Sequence, residues 1–170
     1  MYAEQKEFFE RALSIQDKID NADQENLIQI YIGLGVSCKY LRDLENSKQY
    51  LERALDKSKK IYGEDYFKNI EVMIALSSTC GYLGEYLRQE KLLKSALSIG
   101  INHYGEDHLK VAKVLGHLGV VYEHLGRYQE QKGVLEKALS IFLKYYDEKH
   151  LAVFSTMANL GSAYRELRDY

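Results

Sequence analysis

The side chains in this sequence that could do chemistry are few: five histidines, two cysteines and 25 acidic residues. His117 and His124 stand seven residues apart, which puts them on one face of a helix and invites a metal-binding reading. At 1.5 Å per residue their separation is about 10.5 Å, whereas zinc ligands sit about 2 Å from the ion, so the two cannot share one metal. His103 and His108 flank a loop containing Glu106 and Asp107. An adventitious metal is one chemistry for that loop, and a capped turn accounts for the acids more simply. Cys38 and Cys80 have no Cys-x-x-Cys partner and read as buried structural thiols rather than a redox or metal pair. No Gly-rich phosphate loop or His-Glu-x-x-His helix occurs, and although Ser, His and Asp are present, catalysis needs them to converge in a concave, desolvated site, which a repeat groove rarely provides. The expectation is a protein that is not an enzyme and uses no metal or cofactor.

Charge points the same way. The 23 basic and 25 acidic residues are interleaved, with nothing denser than Lys57, Lys59 and Lys60, for a formal net charge of −2. That balance argues against nucleic acid and against an anionic membrane surface as partners. No stretch approaches the roughly 18 apolar residues of a membrane span, and residues 1–10 are charged where a signal peptide would be apolar. The expectation is a cytoplasmic chain.

The elements that must carry these side chains are legible from a repeat. Ala-Leu recurs at Ala12-Leu13, Ala54-Leu55, Ala96-Leu97 and Ala138-Leu139, in steps of 42 residues. The same step links Leu34, Leu76, Leu118 and Leu160; Leu41, Leu83, Leu125 and Leu167; and Tyr2, Leu44, Tyr86, Tyr128 and Tyr170. Between these columns apolar residues fall at helical spacing, as in Val111, Leu115, Leu118 and Tyr122, then Val134, Leu135, Ala138 and Phe142. Each repeat is therefore two helices, and a chain with no proline can run them almost everywhere. Turns are predicted at Leu83-Gly84-Glu85-Tyr86 and Leu125-Gly126-Arg127-Tyr128 within repeats, and at Tyr62-Gly63-Glu64-Asp65 and Tyr104-Gly105-Glu106-Asp107 between them. Asp65 and Asp107 are candidate caps for the helices that follow. Tyr146-Asp147-Glu148-Lys149 lacks both the Gly and the Asp and is expected to be the least well capped junction.

This register places helices near 3–19, 24–41, 45–61, 66–83, 87–103, 108–125, 129–145 and 150–168. Residues 1–170 are read as a single repeat domain. Because the first and last helices share one phase of the repeat and no polar cap is visible, a piece of a longer array is expected.

The columns resemble the tetratricopeptide repeat, in which a first helix ending Leu-Gly-x-x-Tyr is followed by Gly-x-Tyr and then Ala-Leu. Leu118-Gly119-Val120-Val121-Tyr122, Gly126-Arg127-Tyr128 and Ala138-Leu139 carry that pattern, as does Leu160-Gly161-Ser162-Ala163-Tyr164. The 42-residue length, with Tyr-Gly-Glu-Asp-His before the first helix, is similar to the repeats of kinesin light chains. HEAT-type repeats share the length but not this spacing. Ser47, Gln89 and Gln131 replace the usual small Ala, so the paired helices are expected to sit slightly further apart. Cys38 and Cys80 stand where the family places a packing Tyr.

The resemblance implies an all-α fold, a right-handed superhelical solenoid of antiparallel helix pairs, whose first helices line a concave surface. By register the groove positions are Gln29, Val36 and Tyr40; Glu71, Ile74, Ser78 and Tyr82; Lys113, His117, Val120 and His124; and Ser155, Asn159 and Ser162. Ile32, Gly33, Ala75, Gly116, Ala158 and Glu166 fall on the same face. Four helices about 8–10 Å apart would span roughly 30 Å, room for about nine extended residues at 3.3 Å each or a short helix. Kinesin-light-chain-type repeats carry a peptide-holding Asn just before the signature Leu, and here that column reads Gly33, Ala75, His117 and Asn159. A terminal-carboxylate clamp is not expected, because Lys113 is offset by Glu71. The expected partner is a protein or peptide segment with apolar or aromatic anchors. The alternative is a structural role in which open repeat ends stack on each other or on a neighbouring domain, allowing homo-oligomers.

Overall fold

A computed structural model of the chain describes residues 1–16 and 23–167. All regular structure among them is helical: α1 (Tyr2–Gln16), α2 (Gln24–Tyr40), α3 (Leu44–Tyr62), α4 (Asn69–Tyr82), α5 (Tyr86–Tyr104), α6 (Leu109–His124), α7 (Tyr128–Tyr145) and α8 (Leu151–Leu167). The expected last residues of the helix at 3–19, the end of the helix at 150–168 and the Tyr170 member of its column lie outside the described residues. The helices fall into two compact units, Met1–Glu85 and Tyr86–Tyr170. In the first, α2 packs against α1, α3 and α4, and α3 packs against α4. The second repeats the plan, with α6 against α5, α7 and α8, and α7 against α8.

What lets the paired helices approach is a small residue facing a leucine. A Cβ built on Gly35 would lie 2.5 Å from the Leu51 side chain, and one on Gly119 would lie 2.5 Å from Leu135. Leu51 and Leu135 are fully buried, as are Ala54 and Ala138 of the Ala-Leu column. In the second unit Val111, Ala112, Leu115, Ala138, Ile141, Phe142 and Val153 form one core cluster. Removing a side chain of this size from water contributes about 1.5–3 kcal/mol, so each hairpin is held by a handful of such contacts. Cys38 and Cys80 are free thiols and fully buried, and burial pushes the Cys38 thiol up.

The three first-to-second helix turns among the described residues close in one way. The amide of Asp43 donates to Cys38 O and that of Arg42 to Lys39 O; Glu85 and Gly84 do the same to Cys80 and Gly81, and Arg127 and Gly126 to Tyr122 and Glu123. This paired pattern requires a left-handed residue, supplied by Gly84 (φ 75°) and Gly126 (φ 68°) but in the first hairpin by Arg42 (φ 64°).

The junctions between repeats differ from expectation. Asp65 and Asp107 do not cap. The cap of α6 is His108, whose Nδ1 accepts the Lys110 amide at 3.1 Å, while Asp107 pairs with Lys144 at 2.7 Å. The junction expected to be weakest, at Tyr146–Lys149, is capped in the same way: His150 Nδ1 accepts the Ala152 amide at 3.2 Å, and Asp147 Oδ1 accepts the Lys149 amide at 3.0 Å. Each imidazole is held by stacking on a tyrosine, His108 on Tyr104 at 4.5 Å and His150 on Tyr146 at 3.6 Å between ring centroids. The equivalent residue before α4 is Tyr66, which stacks on Tyr62 but has no ring nitrogen to accept an amide. Accordingly α4 has no side-chain cap and begins at Asn69 rather than near 66. Buried Asn69 holds the loop instead, accepting from Ser58 Oγ at 2.6 Å and donating through Nδ2 to Gly63 O and Glu64 O.

Candidate functional site

The first-type helices α2, α4, α6 and α8 carry every groove position read from the sequence, and none of those side chains is fully buried. In the first unit Gln29 and Glu71 line a cleft of about 100 Å³ between α2 and α4, together with Ile32, Tyr62 and Lys68. A Lys68–Glu25 ion pair of 2.6 Å borders it. Val36, Ile74 and Ser78 are half-buried, and Lys39 Nζ reaches Ser78 Oγ at 3.5 Å across the two helices. Burial lowers the Lys39 pKa.

Tyr40 and Tyr82 are both more than half exposed, yet each has a ring contact. Tyr40 stacks on Tyr2 of α1 at 4.2 Å with Lys39 Nζ 5.0 Å from its centroid, and Arg42 lies 5.2 Å over Tyr82. His124 in the second unit stacks in the same manner on Tyr86, at 4.7 Å. The end of the first helix thus packs its aromatic ring on an element of the preceding repeat, Tyr40 on α1 and His124 on α5. Gly33 is not an open groove position, because a Cβ there would meet the Phe9 ring at 2.3 Å.

The second unit brings the sequence-derived residues together most fully. Lys113, His117 and Val120 of α6 and Ser155 and Asn159 of α8 line one cleft of about 240 Å³, with Gly116 beside them and Leu135, Phe142, Ala152 and Thr156 completing the wall. Polar groups stand at its edge over an apolar floor: Lys113, His117 and Ser155 are exposed, whereas Leu135 and Phe142 are buried. Ser162 is half-buried further along α8 and does not line the cleft. Buried Gln131 sits behind α8, its Nε2 3.4 Å from Asn159 O, so the residue standing in place of the usual Ala ties adjacent helices rather than merely spacing them.

Lys39 and Arg42 are functional candidates that sequence reasoning missed. Their signal was proximity: they flank Tyr40 at the end of α2, and they make the first unit's face more cationic than the groove columns alone imply. No group of three or more His, Cys, Asp or Glu side chains that could hold a metal ion occurs among the described residues, and His103 and His108 both pack on Tyr104. No helix there is long and apolar enough to cross a membrane.

Three comparisons bear on this arrangement. The tetratricopeptide repeat model matches residues 28–59 and 112–145, which are α2–α3 and α6–α7. No curated protein matches the sequence. Among solved structures, BtubC (BKLC) from P. vanneervenii superposes with a TM-score of 0.89 at 22% identity, over 99% of this chain and 67% of that one. Kinesin-light-chain-type TPR-like repeats from Podosopora anserina give 0.83 at 17% identity, over 99% and 80%. The apo form of RapI gives 0.83 at 20%, over 95% and 56%. With two hairpins matching the tetratricopeptide repeat model by sequence and the whole chain superposing by backbone, the chain has an all-α, helical-repeat fold similar to that of these TPR-like repeat structures.

Proposed function

We propose that the chain is a protein-interaction scaffold that holds an extended segment of a partner protein against its first-type helices, and that the cleft between α6 and α8 is the principal seat. Tetratricopeptide repeats generally act as scaffolds for protein partners rather than as catalysts. The observation that carries the reading is the cleft itself: five residues chosen by register alone, Lys113, His117, Val120, Ser155 and Asn159, share its lining. Asn159 offers an amide that can both donate to and accept from the backbone of a bound strand. The apolar floor would take one anchoring side chain, and such anchors supply most of the affinity at interfaces of this kind. The polar edge supplies orientation rather than energy.

A displayed library of random peptides tests this. Peptides enriched on the wild-type chain should lose at least about 10-fold in affinity, about 1.4 kcal/mol, on a His117→Ala, Asn159→Ala double variant whose circular dichroism is unchanged. Equal enrichment on both proteins would place the binding elsewhere.

A further inference from the structure

The end of α2 carries two departures from the repeat, and both place a cation. Lys39 is half-buried, and its ammonium reaches across to α4, where it donates to Ser78 Oγ at 3.5 Å. Burial alone lowers its pKa, with no carboxylate opposing that effect. Arg42 takes the left-handed turn position at φ 64°, which Gly84 and Gly126 fill in the later turns, although a residue with a Cβ is strained there. Its guanidinium lies 5.2 Å over the Tyr82 ring. Ser78 and Tyr82 are four residues apart on α4, about 5–6 Å between Cβ atoms, so the two cations from α2 end one turn apart on a single seam. Neither has a carboxylate within ion-pair distance among the described residues. The acids that flank them in sequence are engaged elsewhere, Asp43 by Lys6 at 3.7 Å and Glu85 by Lys48. A partly desolvated charge is stabilised by a counter-ion, and backbone strain that persists at one residue points to a site where that residue's position matters.

We infer that Lys39, Arg42 and Ser78 form an oxyanion site whose ligand is the phosphoryl group of a phosphorylated side chain on a partner protein. Charge selects that group. A carboxylate would neutralise one of the two cations, whereas a phosphate monoester carries about −1.5 to −2 charges at neutral pH and matches both. Its three terminal oxygens can accept from the Lys39 ammonium, from the guanidinium fork and from the Ser78 hydroxyl, whose oxygen already accepts from Lys39 and whose hydrogen can be donated onward. Tyr40 and Tyr82, both more than half exposed, offer ring surface beside the seam to the segment that bears the phosphate. Two cations suit one phosphoryl group; a polyanion such as nucleic acid needs a longer run of basic contacts than this chain of net charge −2 supplies. That the phosphoryl group belongs to a protein rests on the scaffold reading. The anion site itself does not, and none of its residues lines the cleft between α6 and α8.

Degenerate peptide libraries with phosphoserine or phosphotyrosine fixed at the centre, passed over the whole chain, test this. At least one should be retained about 10-fold or more over its unphosphorylated counterpart, and over the same library with glutamate at the centre. Lys39→Met and Arg42→Gly should each remove that preference; glycine suits the turn at Arg42, so this variant keeps the fold and serves as the test if the other unfolds. Inorganic phosphate should shift the Arg42 and Ser78 amide resonances saturably, and chloride at matched ionic strength should not. Those phosphate shifts should persist in the His117→Ala, Asn159→Ala variant, and unphosphorylated peptides enriched on the wild type should bind Lys39→Met equally well, so the two readings fail separately. Retention that ignores phosphorylation, glutamate retained as well as phosphate, a preference that survives both substitutions, or the lack of a saturable phosphate shift would each overturn the inference.

Discussion

Two glycines three residues apart on α6 separate packing from recognition. Gly119 faces Leu135 at 2.5 Å from where a Cβ would stand, and Gly116 faces open space at the cleft. Gly119→Ala is expected to lower stability by about 1–3 kcal/mol through overpacking. Gly116→Ala is expected to raise it by about 0.5–1 kcal/mol through the lost freedom of the unfolded chain, while putting a methyl group into the cleft and reducing peptide affinity. Urea denaturation beside peptide titration checks both signs, and a Gly116→Ala chain that binds unchanged peptide would detach the cleft from recognition. The sequence made the groove columns legible because register fixes which helical face a residue occupies. It did not reveal which column members pack on a neighbour: Tyr40 on Tyr2 and Gly33 under Phe9 depend on the side chain of a residue one helix away. Lys39 and Arg42 escaped because each is off the columns and reaches the face along its own length.

At the scale of the helix and its ends, the turn chemistry was readable and the caps were not. Gly84 and Gly126 supply positive φ where the spacing placed turns, since few other residues tolerate that conformation. The caps depended on whether an aromatic residue one turn past the junction tyrosine is histidine or tyrosine, a difference invisible to rules built on Asp and Ser. The α5–α6–α7 joint supplies a prediction of its own. Glu90 bonds Lys94 at 2.7 Å and Arg127 at 2.9 Å, and Arg127 also bonds Glu130. The Lys94 ammonium and then the Arg127 guanidinium hold the Glu90 carboxyl below the usual carboxylate range against an opposing effect of burial, and Arg127 does the same to Glu130. Because these pKa values are lowered on folding, the joint's contribution is complete above the ordinary carboxylate pKa of about 4.3 and drains away as pH falls through the lowered values. Arg127→Gln should therefore flatten the acid side of a stability-versus-pH curve and leave its slope from pH 6 to 8, a range far from these carboxylates, unchanged. Chemical denaturation at stepped pH measures it, and an acid limb as steep as wild type would mean that other carboxylates carry it.

Across the molecule, burial is graded. Helix α1 has no buried residue and α8 has Val153, Thr156 and Ala163, whereas α6 buries Val111, Ala112, Val114, Leu115, Leu118, Gly119, Val121 and Tyr122. In repeat arrays each element is stabilised mainly by its immediate neighbours, so opening should follow the same gradient. Amide hydrogen exchange at low protein concentration should find α1 protected at least about 100-fold less than α6, a difference of about 2.7 kcal/mol, with α8 between them. Equal protection would mean that the chain opens only as a whole. The gradient also bears on engineering. The connection from Gly63 to Lys68 runs longer than its counterpart before α6, and Asn69 clamps it at Gly63 and Glu64 while leaving Asp65 exposed. Downstream the 42-residue phase is intact, with Leu76 as deeply buried as Leu34 and Leu118. A reporter domain spliced in at Asp65 would ride as a passenger, outside the helices on either side.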